Sequence, residues 1–331
     1  MKAALYRRNG PAAEVLEIIE MPKPQPRPGE VLVRVAFSGV NPSDVKSRAG
    51  RPLNGSYQIP HSDASGTIEA VGEGVAHTRV GETVWTWNGA WKRPDGTCAQ
   101  YVALPQEQAV PLPQGTSLEA GACLGIPGMT AAHALNLLAK ESDAHTVLVT
   151  GAGSSVGNLA AQMAVAAGYR VIGTASARRS DMAKAAGCDA VIDPHAGDTA
   201  SDTASAILAA NSGNGVDAII DLDFSSTATL LPSGILKPHG VLIGYGSNDM
   251  GAASFDFRNA LFNAHRFSFF VVYELTSDER RKAEDRLYSA LVASTPLTIA
   301  IEKAFLLDEA VAAHQRVESG NAMGNVLVAL G

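Results

Sequence analysis

The pattern of apolar and polar positions changes period near residue 120. Before it, short runs such as EVLVRVAFSGV (30–40), SGTIEAVGEGV (65–75) and ETVWTW (82–87) read as strands punctuated by Gly and Pro turn signals, which predicts a mostly β domain. After it, GMTAAHALNLLA has helical periodicity, and the apolar strands TVLVT, YRVIGT, DAVID, DAIIDL and GVLIGYG alternate with Ala-rich helices. Such alternation predicts an α/β fold with a doubly wound parallel sheet covered by helices on both faces. Towards the end, SDERRKAEDRLYSALVAS reads as a charged amphipathic helix, LTIAIEKAF as a short strand, LDEAVAAHQRVESG as a helix and NVLVAL as a last strand. No internal repeat or low-complexity linker is present.

Composition narrows the class without changing this picture. A chain of 331 residues, 46% of them hydrophobic, can bury the cores of two domains. A net charge of -7 with no basic run speaks against nucleic acid or an anionic membrane as partner. MKAALYRRNG lacks the apolar run of a signal peptide, and no apolar stretch is long enough to span a bilayer, so a cytosolic (cytoplasmic) protein is expected. Cys98, Cys123 and Cys188 are scattered and odd in number, which suits small buried hydrophobes in a reducing compartment better than a disulfide framework.

The chemistry begins at GAGSSVG (151–157), between the strand TVLVT and the helix NLAAQMAVAAG. A strand-to-helix turn of this kind offers backbone N–H groups and a helix dipole to a pyrophosphate. Gly151 and Gly153 can supply the turn and the close backbone approach, and Gly157 lets the helix pack on the strand. The next strand ends in GTASARRSD, where an NAD site would place an Asp or Glu for the ribose 2′-hydroxyl. Here stand Ser176, Arg178 and Arg179, a hydroxyl and two guanidinium groups suited to a 2′-phosphate, so NADPH is the expected cofactor.

VTGAGSSVG resembles the turn of short-chain dehydrogenases, but more than a hundred residues precede it and none of the seven tyrosines is followed by Lys four positions on. A different family matches the chain as a whole. RPGEVLVRVAFSGVNPSDVKSRAG, IPHSDASGTIEAVGEGVAHTRVGETV and GTCAQYVALPQEQAVPLPQGTSLEAGACLGIPGMTAAHAL, with SGNAMGNVLVAL at the end, resemble the medium-chain dehydrogenase/reductase superfamily. GVNPSD, GTCAQY and SSVG in this order are most similar to its zinc-free quinone oxidoreductases, the zeta-crystallin-like group. The resemblance implies a GroES-like catalytic domain over 1–123, completed by 274–331, and a Rossmann NADPH-binding domain over 124–273.

It also locates the zinc ligands of the alcohol dehydrogenases in that superfamily. Asn41 stands where those enzymes have Cys, and Ser62 where they have His; neither is a normal zinc ligand. The four closely spaced cysteines of a structural zinc site are missing too, so no metal is expected. His61 and Asp63 flank the lost position, and His61 reads as a pocket-wall or hydrogen-bonding residue. Without a Lewis acid, alcohol oxidation loses its alkoxide stabilisation, whereas a quinone or α,β-unsaturated carbonyl can still accept hydride from a nicotinamide.

By resemblance the cofactor contacts are Gly153, Ser154, Ser155, Val156 and Gly157 in the turn, Thr130 and Gly244 near the nicotinamide and its ribose, and, more remotely, Phe270 and Asn325. On the substrate side Asn41 is expected to donate a hydrogen bond to a carbonyl oxygen, Asp44 to orient its loop, and Tyr57 to offer a phenolic proton. Trp85 and Trp87 fall on one face of their strand, where core packing competes with an aromatic pocket. Ser154 departs from the family's glycine, and Pro194 and His195 replace a Tyr that often lies near the adenosine phosphate. Three functions fit: a quinone reductase, a reductase of enones or enoyl groups, and an idle NADPH-binding protein. The apolar FSFFVVYEL matches the strand through which family members dimerise, which implies a homodimer.

Overall fold

A computed structural model describes residues 1–141 and 144–331 and divides the chain into two units, residues 1–126 with 299–331 and residues 127–298. In the first unit, a seven-stranded sheet runs in the order Ile301–Leu306, Asn325–Ala329, Glu30–Val40, Asp63–Val71, Thr83–Thr86 and Ala109–Pro111, with Tyr101–Pro105 also paired to Glu30–Val40. Every ladder is antiparallel except the one between Ile301–Leu306 and Asn325–Ala329. Alternating apolar side chains, among them Val31, Val33, Val35, Ile68, Val84, Val102, Leu104, Val326 and Val328, form one buried core. Irregular register between Val35 and Phe37 marks a bulge beside Gly66, where any Cβ would stand 2.1 Å from the Arg34 carbonyl oxygen.

Two helices of this unit carry polar residues that the fold buries. Pro42–Gly50 begins at Asn41, with Pro42 as its first residue and the Asp44 carboxylate accepting the Asn41 backbone N–H at 2.8 Å, a local arrangement that favours a helix start. Ala310–Glu318 turns Ala310, Ala313 and His314 inward.

The second unit holds six parallel strands in the order Ala190–Ile192, Arg170–Thr174, Thr146–Val149, Val216–Asp221, Leu236–Gly244 and Arg266–Phe269. Numbered along this unit the order is 3-2-1-4-5-6, the doubly wound Rossmann arrangement with its switch point between Thr146–Val149 and Val216–Asp221. Thr146–Val149 is buried throughout, as a strand covered on both faces must be. Unit boundaries fall at 126/127 and 298/299, not at 123/124 and 273/274 as expected from the sequence. The amphipathic helix Ser277–Leu291 belongs to the second unit, where it buries Ala283, Leu287 and Leu291 and Arg286 donates to Asn136 Oδ1 at 2.5 Å. FSFFVVYEL is strand only over Arg266–Phe269; a short 3₁₀ turn, Val272–Glu274, comes after it. Among the described residues no helix is long and apolar enough to cross a membrane.

Candidate active site

The glycine turn sits at the switch point of the second unit. Gly151 adopts φ 64°, a left-handed conformation, and the turn is tied to the neighbouring strand by Ala152 N–H to the Thr174 carbonyl at 2.8 Å and Gly151 N–H to Thr174 Oγ1 at 3.0 Å. Ser154, the departure from the family's glycine, caps the helix Ser155–Ala166 by accepting the Gly157 N–H at 3.2 Å. A Cβ on Gly157 would come within 2.2 Å of the Gly151 carbonyl oxygen, so the helix can meet the turn only with glycine here.

Close packing also brings the arginine segment to this turn. A Cβ on Gly153 would lie 2.6 Å from Arg179 Cβ. Ser176 precedes the short 3₁₀ turn Ala177–Arg179, which is anchored by Ala177 N–H to Asp193 Oδ2 at 2.9 Å. Asp193 Oδ1 accepts the His195 N–H at 2.9 Å, so Pro194 and His195 turn back at the same corner.

At the carboxyl ends of the neighbouring strands, buried polar atoms are left over. Asp221 Oδ1 accepts from Thr150 Oγ1 at 2.8 Å and Thr227 Oγ1 at 2.7 Å, while Asp221 Oδ2 has no partner among the described residues. Burial raises the Asp221 pKa against those two hydroxyl bonds. Tyr245 Oη and His133 Nδ1 are likewise buried and unpartnered. Thr130, one helical turn before His133, is buried. Phe270 packs edge-on to His133 at 4.7 Å and donates its N–H to the Gly244 carbonyl. Gly244 is needed because a Cβ there would meet the Phe269 ring at 2.7 Å. Leftover polar atoms at strand ends around a switch point fit a polar ligand such as a dinucleotide. Sequence reading passed over His133 and Tyr245, which only the fold brings beside Phe270.

In the first unit Asn41 is fixed at two points. Its backbone N–H goes to Asp44, and its side-chain Nδ2 donates to Asp63 Oδ2 at 2.8 Å. Asp63 Oδ2 also accepts the Ile126 backbone N–H at 2.9 Å, while Oδ1 has no hydrogen-bond partner among the described residues. All three side chains are buried. Burial lifts the Asp63 carboxyl well above its ordinary range, with repulsion from Asp44 adding and the Ile126 and Asn41 bonds opposing. Burial likewise pushes Asp44 up to about 7, against the Asn41 bonds and the charge of Arg51.

A chain of hydrogen bonds runs behind this cluster. His314 Nε2 lies 3.0 Å from His61 Nε2, His61 Nδ1 2.9 Å from Ser38 Oγ, Ser38 Oγ 2.8 Å from Thr97 Oγ1, and Thr97 Oγ1 2.8 Å from the Asp63 carbonyl oxygen. A carbonyl can only accept, so Thr97 donates to Asp63, and the Ser38 hydroxyl hydrogen goes to Thr97 or to the same carbonyl, 3.4 Å away. His61 then carries its proton on Nδ1, and His314 donates from Nε2. His314 Nδ1 is left as a bare, buried, unpartnered lone pair. His61 takes φ 73°. His61 was legible as a hydrogen-bonding residue; its partner His314, 253 residues away, carried no local signal.

The remaining expected residues make other hydrogen bonds or pack in the same unit. Tyr57 donates its phenolic proton to Asp95 Oδ1 at 2.7 Å, and burial together with that carboxylate pushes its pKa up to about 12. Asn325 belongs to the first unit, where both its backbone N–H and its side-chain Nδ2 bond the Ala300 carbonyl. Trp85 and Trp87 are buried in the body of the unit. The donor set around Asn41 does not fit zinc: the amide nitrogen spends a hydrogen on Asp63, Ser62 offers a hydroxyl, and among the described residues no three His, Cys, Asp or Glu side chains gather as a metal site.

A β unit of this topology and a doubly wound parallel unit with a glycine turn in one chain define a medium-chain dehydrogenase/reductase. Residues 27–114 match the alcohol dehydrogenase GroES-like domain and residues 155–289 the zinc-binding dehydrogenase family. A chloroplastic quinone oxidoreductase of Triphysaria versicolor is 30% identical over 256 residues, 73% of this chain and 74% of that protein. The quinone oxidoreductase of Rattus norvegicus is 35% identical over 175 residues, 52% of this chain and 51% of that one, so the match spans about half its length. A mycobacterial protein solved in complex with NADPH superposes with a TM-score of 0.85 at 26% identity, over 99% of this chain and 100% of that one. The chain belongs to the quinone oxidoreductase, zeta-crystallin-like group of the medium-chain dehydrogenase/reductase superfamily.

The paired histidines make stability depend on pH. Burial, reinforced by the charge of Arg48, pulls His314 down to about 3, and burial holds His61 well below 6.5. The unfolded chain therefore takes up protons that the native state refuses. The pair's contribution is complete above pH 6.5 and is lost as pH falls from there towards about 3. Each histidine adds a slope of up to about 1.4 kcal/mol per pH unit in that window. Urea midpoints should fall between pH 7 and pH 5, and the fall should be shallower in His314→Gln; equal slopes would refute this account.

Proposed function

We propose that this chain is an NADPH-dependent reductase that passes hydride to a quinone without a metal. The observation that carries the reading is the Gly151–Gly157 turn at the switch point with Arg179 packed on Gly153, because Ser176–Arg179 carries two guanidinium groups and no carboxylate. The relatives named quinone oxidoreductases, and the neighbour solved with NADPH, support it.

In this reading the backbone of Gly153, Ser154, Ser155, Val156 and Gly157 holds the pyrophosphate, and Ser176, Arg178 and Arg179 hold the 2′-phosphate. Thr130, Gly244 and Phe270 line the nicotinamide end, and Asn325 is left to a structural role. When bound, NADPH supplies the hydride. The Asn41 amide, held at its Nδ2 by Asp63, is the group that donates to the carbonyl oxygen that gains charge, fixed before the reaction starts. Asp44 holds the Asn41 backbone. Tyr57, already committed to Asp95, is not needed as an acid, and the single proton that completes the hydroquinone after hydride transfer comes from solvent. A reducing, cytosolic setting is part of the reading, in keeping with three free cysteines. So is a homodimer, since Phe257, Leu261, Phe262, Phe269 and Val271 are exposed on and beside the sheet's last strand.

The primary test is oxidation of NADPH and NADH by EDTA-treated protein, with 1,4-benzoquinone, 9,10-phenanthrenequinone, an enone and an acrylate as acceptors. Metal-independent, NADPH-selective turnover on quinones is expected; preference for the enone or acrylate would move the assignment to ene reduction, and tight NADPH binding without turnover would point to an idle binder. Replacing Arg178 and Arg179 together by Ala should raise the KM for NADPH about tenfold or more while leaving NADH unchanged. An equal effect on both cofactors would contradict the 2′-phosphate assignment. Light scattering at micromolar concentration should give about twice the chain mass, and Leu261→Glu with Phe262→Glu should give the monomer.

A further inference from the structure

The Asp63 carboxyl is confined on both sides. Its Oδ2 accepts two N–H groups, from Asn41 and from the backbone of Ile126. Its Oδ1 abuts the backbone of Gly125, where a Cβ would stand 2.2 Å away. Its own carbonyl oxygen is held by Thr97 at the end of the chain that begins at His314. A carboxyl with no solvent exposure and no room to swing acts as a fixed post for whatever bonds it.

We propose that Asp63 is the positioning residue of Asn41: the fixed Oδ2 selects the amide's nitrogen end and thereby sets the orientation in which the amide meets the substrate oxygen. This rests on the role given to Asn41 above. Ionisation is not required: Oδ2 already accepts two N–H groups, so a proton taken up by the carboxyl would go to Oδ1 and leave the amide's orientation the same in both states. Asn in place of Asp63 keeps an oxygen where Ile126 N–H demands one, and so keeps the bond to Asn41. Leu, of similar size, offers no acceptor and frees the amide to turn.

Kinetics on 9,10-phenanthrenequinone with NADPH separate this from an acid–base or a merely structural role. Asp63→Asn should stay within about threefold of wild type in kcat/KM, while Asp63→Leu should lose on the order of 10- to 100-fold, chiefly in kcat, with NADPH affinity retained. On an Asn41→Ala background Asp63→Leu should cost nothing more. A loss in Asp63→Asn equal to that in Asp63→Leu, or wild-type activity in Asp63→Leu, overturns the proposal. So do additive losses in the double variant when Asn41→Ala alone is impaired. Full activity in Asn41→Ala overturns the role of Asn41 and this proposal with it. Should Asp63→Leu not fold, or no acceptor turn over, side-chain ¹⁵N asparagine spectra of wild type and Asp63→Asn give the answer. One Asn41 Nδ2 hydrogen exchanging slowly and alike in both proteins from pH 6 to 8 supports the proposal; rapid exchange of both hydrogens overturns it.

Discussion

A polar group taken out of water has to find its hydrogen bonds inside the protein, and the first unit is organised around that constraint. Ser38, Asn41, Asp44, His61, Asp63, Thr97 and His314 are all buried, and each contact among them is satisfied only if the protons run in one direction. The direction is set by the one group that cannot donate, the carbonyl of Asp63. It dictates the tautomers of two histidines and the bare nitrogen left on His314. A left-handed His61, costly by itself, is retained because the ring must reach both Ser38 and His314.

The second unit solves a different problem, the close approach of backbone to backbone. Three glycines stand where a side chain would strike Leu222, Arg179 or the Gly151 carbonyl, and the resulting turn lies where the strand order reverses. Asp221 and Tyr245 at the strand ends, and His133 on a neighbouring helix, each carry a buried polar atom without a hydrogen-bond partner among the described residues. The arginines reach this turn through packing of Arg179 on Gly153 and not through their distance along the chain.

Elements whose signals are local were the readable ones. Strand alternation over residues 30–40, the apolar strands of the parallel sheet and the strand–turn–helix around the glycines each arise from a few adjacent residues and are found where the pattern put them. Asp44, expected in a loop, lies instead in the first turn of the helix Pro42–Gly50. The helix Ser277–Leu291 was legible as a helix, but its unit was not, since an apolar stripe does not name the surface that buries it. FSFFVVYEL kept only three residues as strand, Phe267 to Phe269, because its neighbour Leu236–Gly244 ends at Gly244 and leaves nothing further to pair with.

What the sequence by itself determined is the class of fold, the glycine turn between strand and helix, and the amide and hydroxyl at Asn41 and Ser62, because propensity, glycine freedom and donor chemistry are properties of single residues and short runs. Tertiary structure alone decided that His61 meets a histidine 253 positions away, that Asn41 hangs on Asp63, and that Tyr57 gives its proton to Asp95. Those pairings depend on which buried polar groups the folded chain leaves without water, and burial is a property of the whole arrangement and of no segment within it.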